Sequence, residues 1–167
     1  MNIDVISPNT LVWMNKSYFC VLGQSGAKLE KLEGDCATPV GHWPLLYVLY
    51  RPDRIAKPTT GLPIKALSPS DGWCDDPNHP SYNKFIKKPF GASHETLWRI
   101  DKIYDLIVVL GYNSDPIVPG RGSAIFLHLT GSSFTPTQGC VALKLDDLSE
   151  ILVSCSRGTK LIIHPHQ

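Results

Sequence analysis

The chain is 167 residues long, the length of one domain spanning 1–167 and enough to bury a core without disulfides or a structural metal. Its 16 basic and 15 acidic residues leave a net charge of +1, so the basic footprint of a nucleic-acid binder is missing and no nucleic-acid partner is expected. Charged residues make up only 19% of the chain beside 13 glycines and 14 prolines, a composition that favours many short strands and turns over long helices.

The opening stretch MNIDVISPNTLVWMNKSYFCVLG alternates apolar and polar residues as strands do. Residues 2–6 and 11–14 flank the turn signal Ser7-Pro8-Asn9, and 16–22 follow directly, which predicts a β-meander ending at 23–26. The same stretch lacks a basic leader and an unbroken apolar core, so it does not read as a signal peptide. No apolar run in the chain is long enough to cross a bilayer, and a soluble monomer without membrane insertion is expected. LYVLYRP is a further strand by its aromatic and β-branched content. Residues 51–100 are proline-rich and irregular, and their Trp, Tyr and Phe content argues for a functional insert over a disordered one.

Regular patterning resumes with YDLIVVLGY and SAIFLHL, apolar runs of strand length that read as central strands. In residues 145–155, Leu145, Leu148, Ile151 and Leu152 fall at helical spacing, with Asp146 and Asp147 where the helix dipole favours negative charge. Gly158 is expected to stop this helix, and KLIIH gives a last strand before the tail His164-Pro165-His166-Gln167.

The stretch IFLHLTGSSFTPTQGCVALKLDDL raises the question of whether Cys140 is a nucleophile or one more buried thiol. A thiol becomes an efficient nucleophile when a base favours its thiolate and small neighbours admit a carbonyl to the sulfur. Gly139 meets the second condition for Cys140, and His128, twelve positions earlier at the end of an apolar strand, meets the first if the loop folds back. The competing reading is a small core cysteine and a satisfied buried imidazole, and spacing alone leaves both open. The five cysteines, Cys20, Cys36, Cys74, Cys140 and Cys155, contain no CxxC pair, and no metal or cofactor is expected.

HLTGSSFTPTQGCVAL resembles the signature of the L,D-transpeptidase catalytic-domain family (YkuD-like), in which a strand-borne histidine precedes a loop and [Ser/Thr]-His-Gly-Cys. His128, Thr137, Gly139 and Cys140 match. GDCATPVGHWPL resembles the family's Thr-Pro-x-Gly-x-Phe stretch through Thr38, Pro39 and Gly41, with Trp43 at the aromatic position. GWCDDP…YN and GRGSAIFLH resemble a bacterial branch of the family, so the likeness runs over about 34–148. Gln138 stands where the family has a second histidine and Ala142 where Arg or Asn is usual, and the loop from His128 to Cys140 is shorter than the common form. An amide cannot titrate, so Gln138 marks the main departure.

The resemblance implies a mainly β, sandwich- or barrel-like fold with one or two short helices and a long irregular insert. It implies a Cys140 thiolate that attacks the carbonyl of the L-centre of a diaminopimelate-type residue in a peptidoglycan stem peptide, forming a thioester. His128 is then the base and proton shuttle, Thr137 holds the imidazole through its carbonyl or hydroxyl, and the N–H groups of Gly139 and Cys140 receive the oxyanion. Substrate contacts are assigned to Arg121 for a carboxylate, Asp75 and Asp76 beside Trp73 for an ammonium, and Tyr82 and Asn83 for hydrogen bonds, with Gln138 at the departure point. The outcome would be 3-3 or 1-3 cross-links. Water as acceptor would instead give an L,D-carboxypeptidase or endopeptidase, and a non-catalytic cell-wall binding module is the alternative from another class. The substrate implies the cell envelope or periplasm, reached from a chain that shows no export signal.

Overall fold

The computed structural model describes residues 1–6 and 8–165; Ser7 of the predicted first turn and His166 and Gln167 of the tail lie outside the described residues. The elements run β1 (Asn2–Ile6), β2 (Thr10–Trp13), β3 (Lys16–Phe19), β4 (Ala27–Lys28), β5 (Thr38–Pro39), β6 (Gly41–Tyr50), β7 (Ile64–Ala66), β8 (Asp71–Cys74), β9 (Phe85–Lys87), β10 (His94–Thr96), β11 (Leu106–Leu110), β12 (Phe126–Leu129), β13 (Val141–Leu143), α1 (Leu145–Val153) and β14 (Lys160–Ile163).

The predicted meander is present. Met14 and Asn15 both take positive φ, 48° and 63°, and form the two-residue turn whose twist suits the antiparallel pair β2–β3. The main sheet has the order β13-β12-β11-β6-β14-β1-β2-β3, with β7 alongside β6. Beyond β3 the chain returns to β13, where Val21 and Ala142 exchange two backbone hydrogen bonds of 2.8 and 2.9 Å. This contact brings the two ends of the sheet together, so the mainly β fold is a nearly closed, barrel-like sheet.

Strand β11 explains why its sequence is apolar without alternation. Leu106, Val108 and Leu110 face one core with β1, β2 and the buried side of α1, while Ile107 and Val109 face a second core with Trp73, Leu97 and Tyr104. Both faces of the strand are covered, which demands apolar residues throughout. The cover on the second face comes from the irregular insert, and this segment is more regular than its sequence suggests: β10, β8 and β9 form a three-stranded antiparallel sheet. Arg51 helps fix it, stacking on Trp98 at 3.6 Å and donating to Asp53 and to the Arg99 carbonyl.

The helix occupies the predicted segment, with Leu148, Ile151 and Leu152 buried and Asp146 and Asp147 in its first turn. Its stop is corrected: the helix ends at Val153 with Ser154 as cap, and Gly158, at φ +96°, serves the turn into β14. No helix among the described residues is long and apolar enough to cross a membrane.

Two glycines let the closure form. A Cβ on Gly23 would lie 2.4 Å from the Cys36 carbonyl oxygen and 3.0 Å from the Cα of Gly139, and one on Gly139, at φ +131°, would lie 2.7 Å from the Ala37 carbonyl oxygen. Gly23→Ala is expected to cost roughly 1–3 kcal/mol by forcing these backbones apart. Urea unfolding of the variant beside the wild type checks this, and an unchanged midpoint would mean the crossing relaxes freely.

Candidate active site

Strands β12 and β13 pair in parallel, with His128 opposite Ala142. Side chains alternate along a strand, so Phe126 and His128 point to the face opposite Leu127 and Leu129, and Cys140 points with Ala142. His128 and Cys140 therefore sit on one face of neighbouring strands, under the insert, and both line a cavity of about 590 Å³. That size suits a small-molecule or peptide group.

His128 is buried at 5% exposure, and its Nδ1 lies 2.9 Å from the Leu129 carbonyl oxygen. A carbonyl only accepts, so Nδ1 carries the proton and Nε2 has the free lone pair. The edge of the Tyr104 ring packs on the imidazole, 5.2 Å between centroids at 79°. Burial, aided by the charge of Arg99, lowers the His128 pKa to about 4 against the opposing pull of the Leu129 carbonyl. The imidazole is neutral at pH 7.

Cys140 is also buried. Its thiol donates to the Ala124 carbonyl at 3.1 Å and accepts from the Phe126 N–H at 3.3 Å, and it is not hydrogen-bonded to His128. Burial and the nearby Glu95 carboxylate push the thiol up to about 12, against the Phe126 N–H and the charge of Lys31. The resting pair is a neutral thiol beside a neutral imidazole.

The contacts of Thr137 in this structure do not include the imidazole it was expected to hold. Its hydroxyl donates to the Cys140 carbonyl at 2.7 Å and accepts from the Gly139 N–H at 3.1 Å, while its carbonyl accepts from Gln24. Thr137 shapes the turn before the cysteine, and the Leu129 carbonyl holds the ring. The Gly139 N–H, expected to face an oxyanion, is engaged by Thr137 in this state.

The structure divides the remaining residues singled out by sequence. Asp75 and Gln138 line the cavity. Asp76 does not; its Oδ1 accepts from the Asn78 N–H at 2.9 Å in a local turn. Trp73 packs edge-on against Phe126 behind Cys140 and donates to Asn83 Oδ1 at 2.9 Å. Asn83, assigned to substrate, spends its amide internally: Oδ1 also accepts from Ala124 N–H, and Nδ2 donates to the carbonyls of Tyr112 and Asn113. Tyr82 is 2% exposed, donates to Glu33 and accepts from the Gly122 N–H, so it too is a brace. Arg121 is exposed and lies outside the cavity lining. Among the described residues no group of three or more His, Cys, Asp or Glu side chains could hold a metal ion.

Several cavity residues escaped the sequence reading: Glu33, Glu95, Arg99, Tyr104 and Ser123, together with Cys36. Tyr104 donates to Glu95 Oε2 at 2.9 Å, and Arg99 is held by Asp101 through bonds of 2.9 and 2.7 Å. These come from three separate segments, 33–36, 95–104 and 123, with no motif among them. The helpful signal was the density of charge and aromatics around 95–105.

Among known families, the model of the L,D-transpeptidase catalytic domain (YkuD) matches residues 3–163. No curated protein matches the chain.

The lowered pKa of His128 has a thermodynamic consequence. As pH falls below about 6.5 the unfolded state binds the proton first, so stability declines until the folded state also protonates near 4. The loss attributable to His128 is roughly 3 kcal/mol. Urea unfolding at pH 7, 5 and 4 should show this decline, and His128→Gln should flatten it. An equally steep decline in the variant would assign it to other groups.

Proposed function

The chain belongs to the L,D-transpeptidase catalytic-domain family, and from that premise we propose that it is a cysteine acyltransferase acting on peptidoglycan stem peptides of the diaminopimelate type. The observation that supports this reading most is the placement of His128 and Cys140 on one face of β12–β13 in a shared cavity, with the imidazole Nε2 unprotonated.

In the proposed cycle a stem peptide enters the cavity and the Cys140 side chain turns from the Ala124 carbonyl toward His128. His128 Nε2 takes the thiol proton as Sγ attacks the carbonyl of the L-centre. The tetrahedral intermediate collapses, the bond to the following residue breaks, and its amine leaves with the proton from His128. A thioester remains on Cys140. An acceptor amine then loses a proton to His128, attacks the thioester and restores the thiol, forming a 3-3 or 1-3 cross-link. Water in place of the amine gives the carboxypeptidase or endopeptidase outcome by the same steps.

Because both groups are neutral at rest, proton transfer is coupled to substrate attack and does not precede it as a stable ion pair. The oxyanion is served by the Cys140 N–H, and by the Gly139 N–H once it is freed from Thr137. Asp75 faces the substrate as an acceptor for an ammonium, and Gln138 contributes an amide where other members carry an imidazole. The residues form a single catalytic domain, and its substrate places the working protein in the cell envelope.

A second reading, a wall-binding module without turnover, is favoured by Gln138 and by the thiol's bonds away from His128. One experiment separates the two: purified protein is incubated with muropeptides and products are followed by mass, beside Cys140→Ala and His128→Ala. Acyl transfer predicts products from the wild type, none from Cys140→Ala, and a loss of about 100-fold or more in His128→Ala while the variant stays folded. Binding without any product in the wild type would establish the module.

A further inference from the structure

The proposed cycle needs the His128 ring in one orientation through successive proton transfers. The 2.9 Å bond from Nδ1 to the Leu129 carbonyl fixes one point of the ring and leaves it free to rock about that contact. A second acceptor, the Ile103 carbonyl, also faces the imidazole with a weaker pull than Leu129. Which nitrogen keeps the proton therefore depends on how the ring is turned.

Tyr104 supplies the constraint that a single bond cannot. Its ring meets the imidazole at 5.2 Å and 79°, and it is itself immobilised: the side chain is buried, and Phe126 packs against it at 6.1 Å and 77°. Its hydroxyl donates to Glu95 Oε2 at 2.9 Å. The backbone is tied as well, since the Leu129 N–H donates to the Ile103 carbonyl at 2.9 Å and so links the residue before Tyr104 to the residue after His128. Glu95 stands on β10 opposite Trp73 of β8, so the small sheet of the insert reaches the imidazole through one side chain. Burial raises the Glu95 carboxyl above its ordinary range, and a carboxyl retained at that cost points to a task at the site. The proposed cycle gives it none.

We propose that Tyr104 is a positioning residue for His128: its ring, tied to the insert through Glu95, keeps Nδ1 turned to the Leu129 carbonyl and Nε2 turned to the cavity. The expected effect on turnover rests on the acyl-transfer reading; the hold on the ring does not. A freed ring shares its proton between the two nitrogens and presents a lone pair to the thiol for only part of the time. Misplacement of a reacting group by on the order of 1 Å costs up to about 100-fold in rate.

Three variants of the full chain separate ring, hydroxyl and charge. Tyr104→Leu removes the ring, Tyr104→Phe keeps the ring and cuts its tie to Glu95, and Glu95→Gln keeps an acceptor for the hydroxyl without the charge. The first readout needs no substrate: nitrogen NMR of the protein carrying labelled histidine, at pH 7, with the His128 signals assigned by their loss in His128→Gln. The wild type and Glu95→Gln are expected to hold the proton on Nδ1 alone, Tyr104→Phe to show a minor second tautomer, and Tyr104→Leu to show a mixture. The second readout is muropeptide turnover. There kcat is expected to fall about 30- to 100-fold in Tyr104→Leu, about 3- to 10-fold in Tyr104→Phe and less than about twofold in Glu95→Gln, with KM held within about threefold. Thermal unfolding confirms that the variants are folded, and if Tyr104→Leu is not, Tyr104→Phe carries both readouts. A wild-type tautomer in the Tyr104 variants, or a loss expressed in KM with kcat intact, overturns the proposal. A wild type that turns over no muropeptide overturns the acyl-transfer reading instead, and the tautomer measurement then decides the positioning role alone.

Discussion

The parallel pairing of β12 with β13 is the constraint from which the site follows. A parallel partner cannot be reached by a tight hairpin, so the chain must leave Leu129 at the end of β12 and travel back to enter β13 beside Leu127. Residues 130–140 make that return without a helix, and their backbone becomes a wall of the cavity. The return also sets Cys140 two residues ahead of Ala142, on the face that carries His128. A one-residue slip in this register would turn the cysteine to the opposite face.

That register is held from outside the pair. Val21 brackets Ala142 with two backbone bonds, and Leu22 and Gln24 bind the backbone of Thr137 on both sides. The closure of the barrel and the placement of the thiol are thus one set of hydrogen bonds. The glycine crossing at Gly23 and Gly139 allows the strands to approach closely enough to make them. Below the site, Tyr82 and Asn83 perform a matching service, binding Gly122 and Ala124 so that the Ala124 carbonyl meets the thiol.

Much of this was legible in the sequence where a pattern repeats. The central strands announced themselves by unbroken apolar runs, the helix by its 3.6-residue spacing, and the His128 and Cys140 pair by a motif with an ordered companion at Thr38 to Gly41. What escaped has physical reasons. Strands of three or four residues such as β8 to β10 are too short for alternation to show. The group that orients His128 is a backbone carbonyl, which any residue at 129 supplies, so no side-chain pattern points to it. Asn83 and Tyr82 have the chemistry of substrate ligands, and only the hydrogen-bond inventory shows their atoms already used.

The acidic wall of the cavity and the neutral state of His128 and Cys140 share one electrostatic origin. A thiolate near Glu95 is disfavoured twice, by burial and by like charge, which keeps the free protein's sulfur protonated. Neither Glu95 nor the neutral imidazole stabilises a resting thiolate, so in the proposed cycle the charge forms only as the imidazole takes the proton.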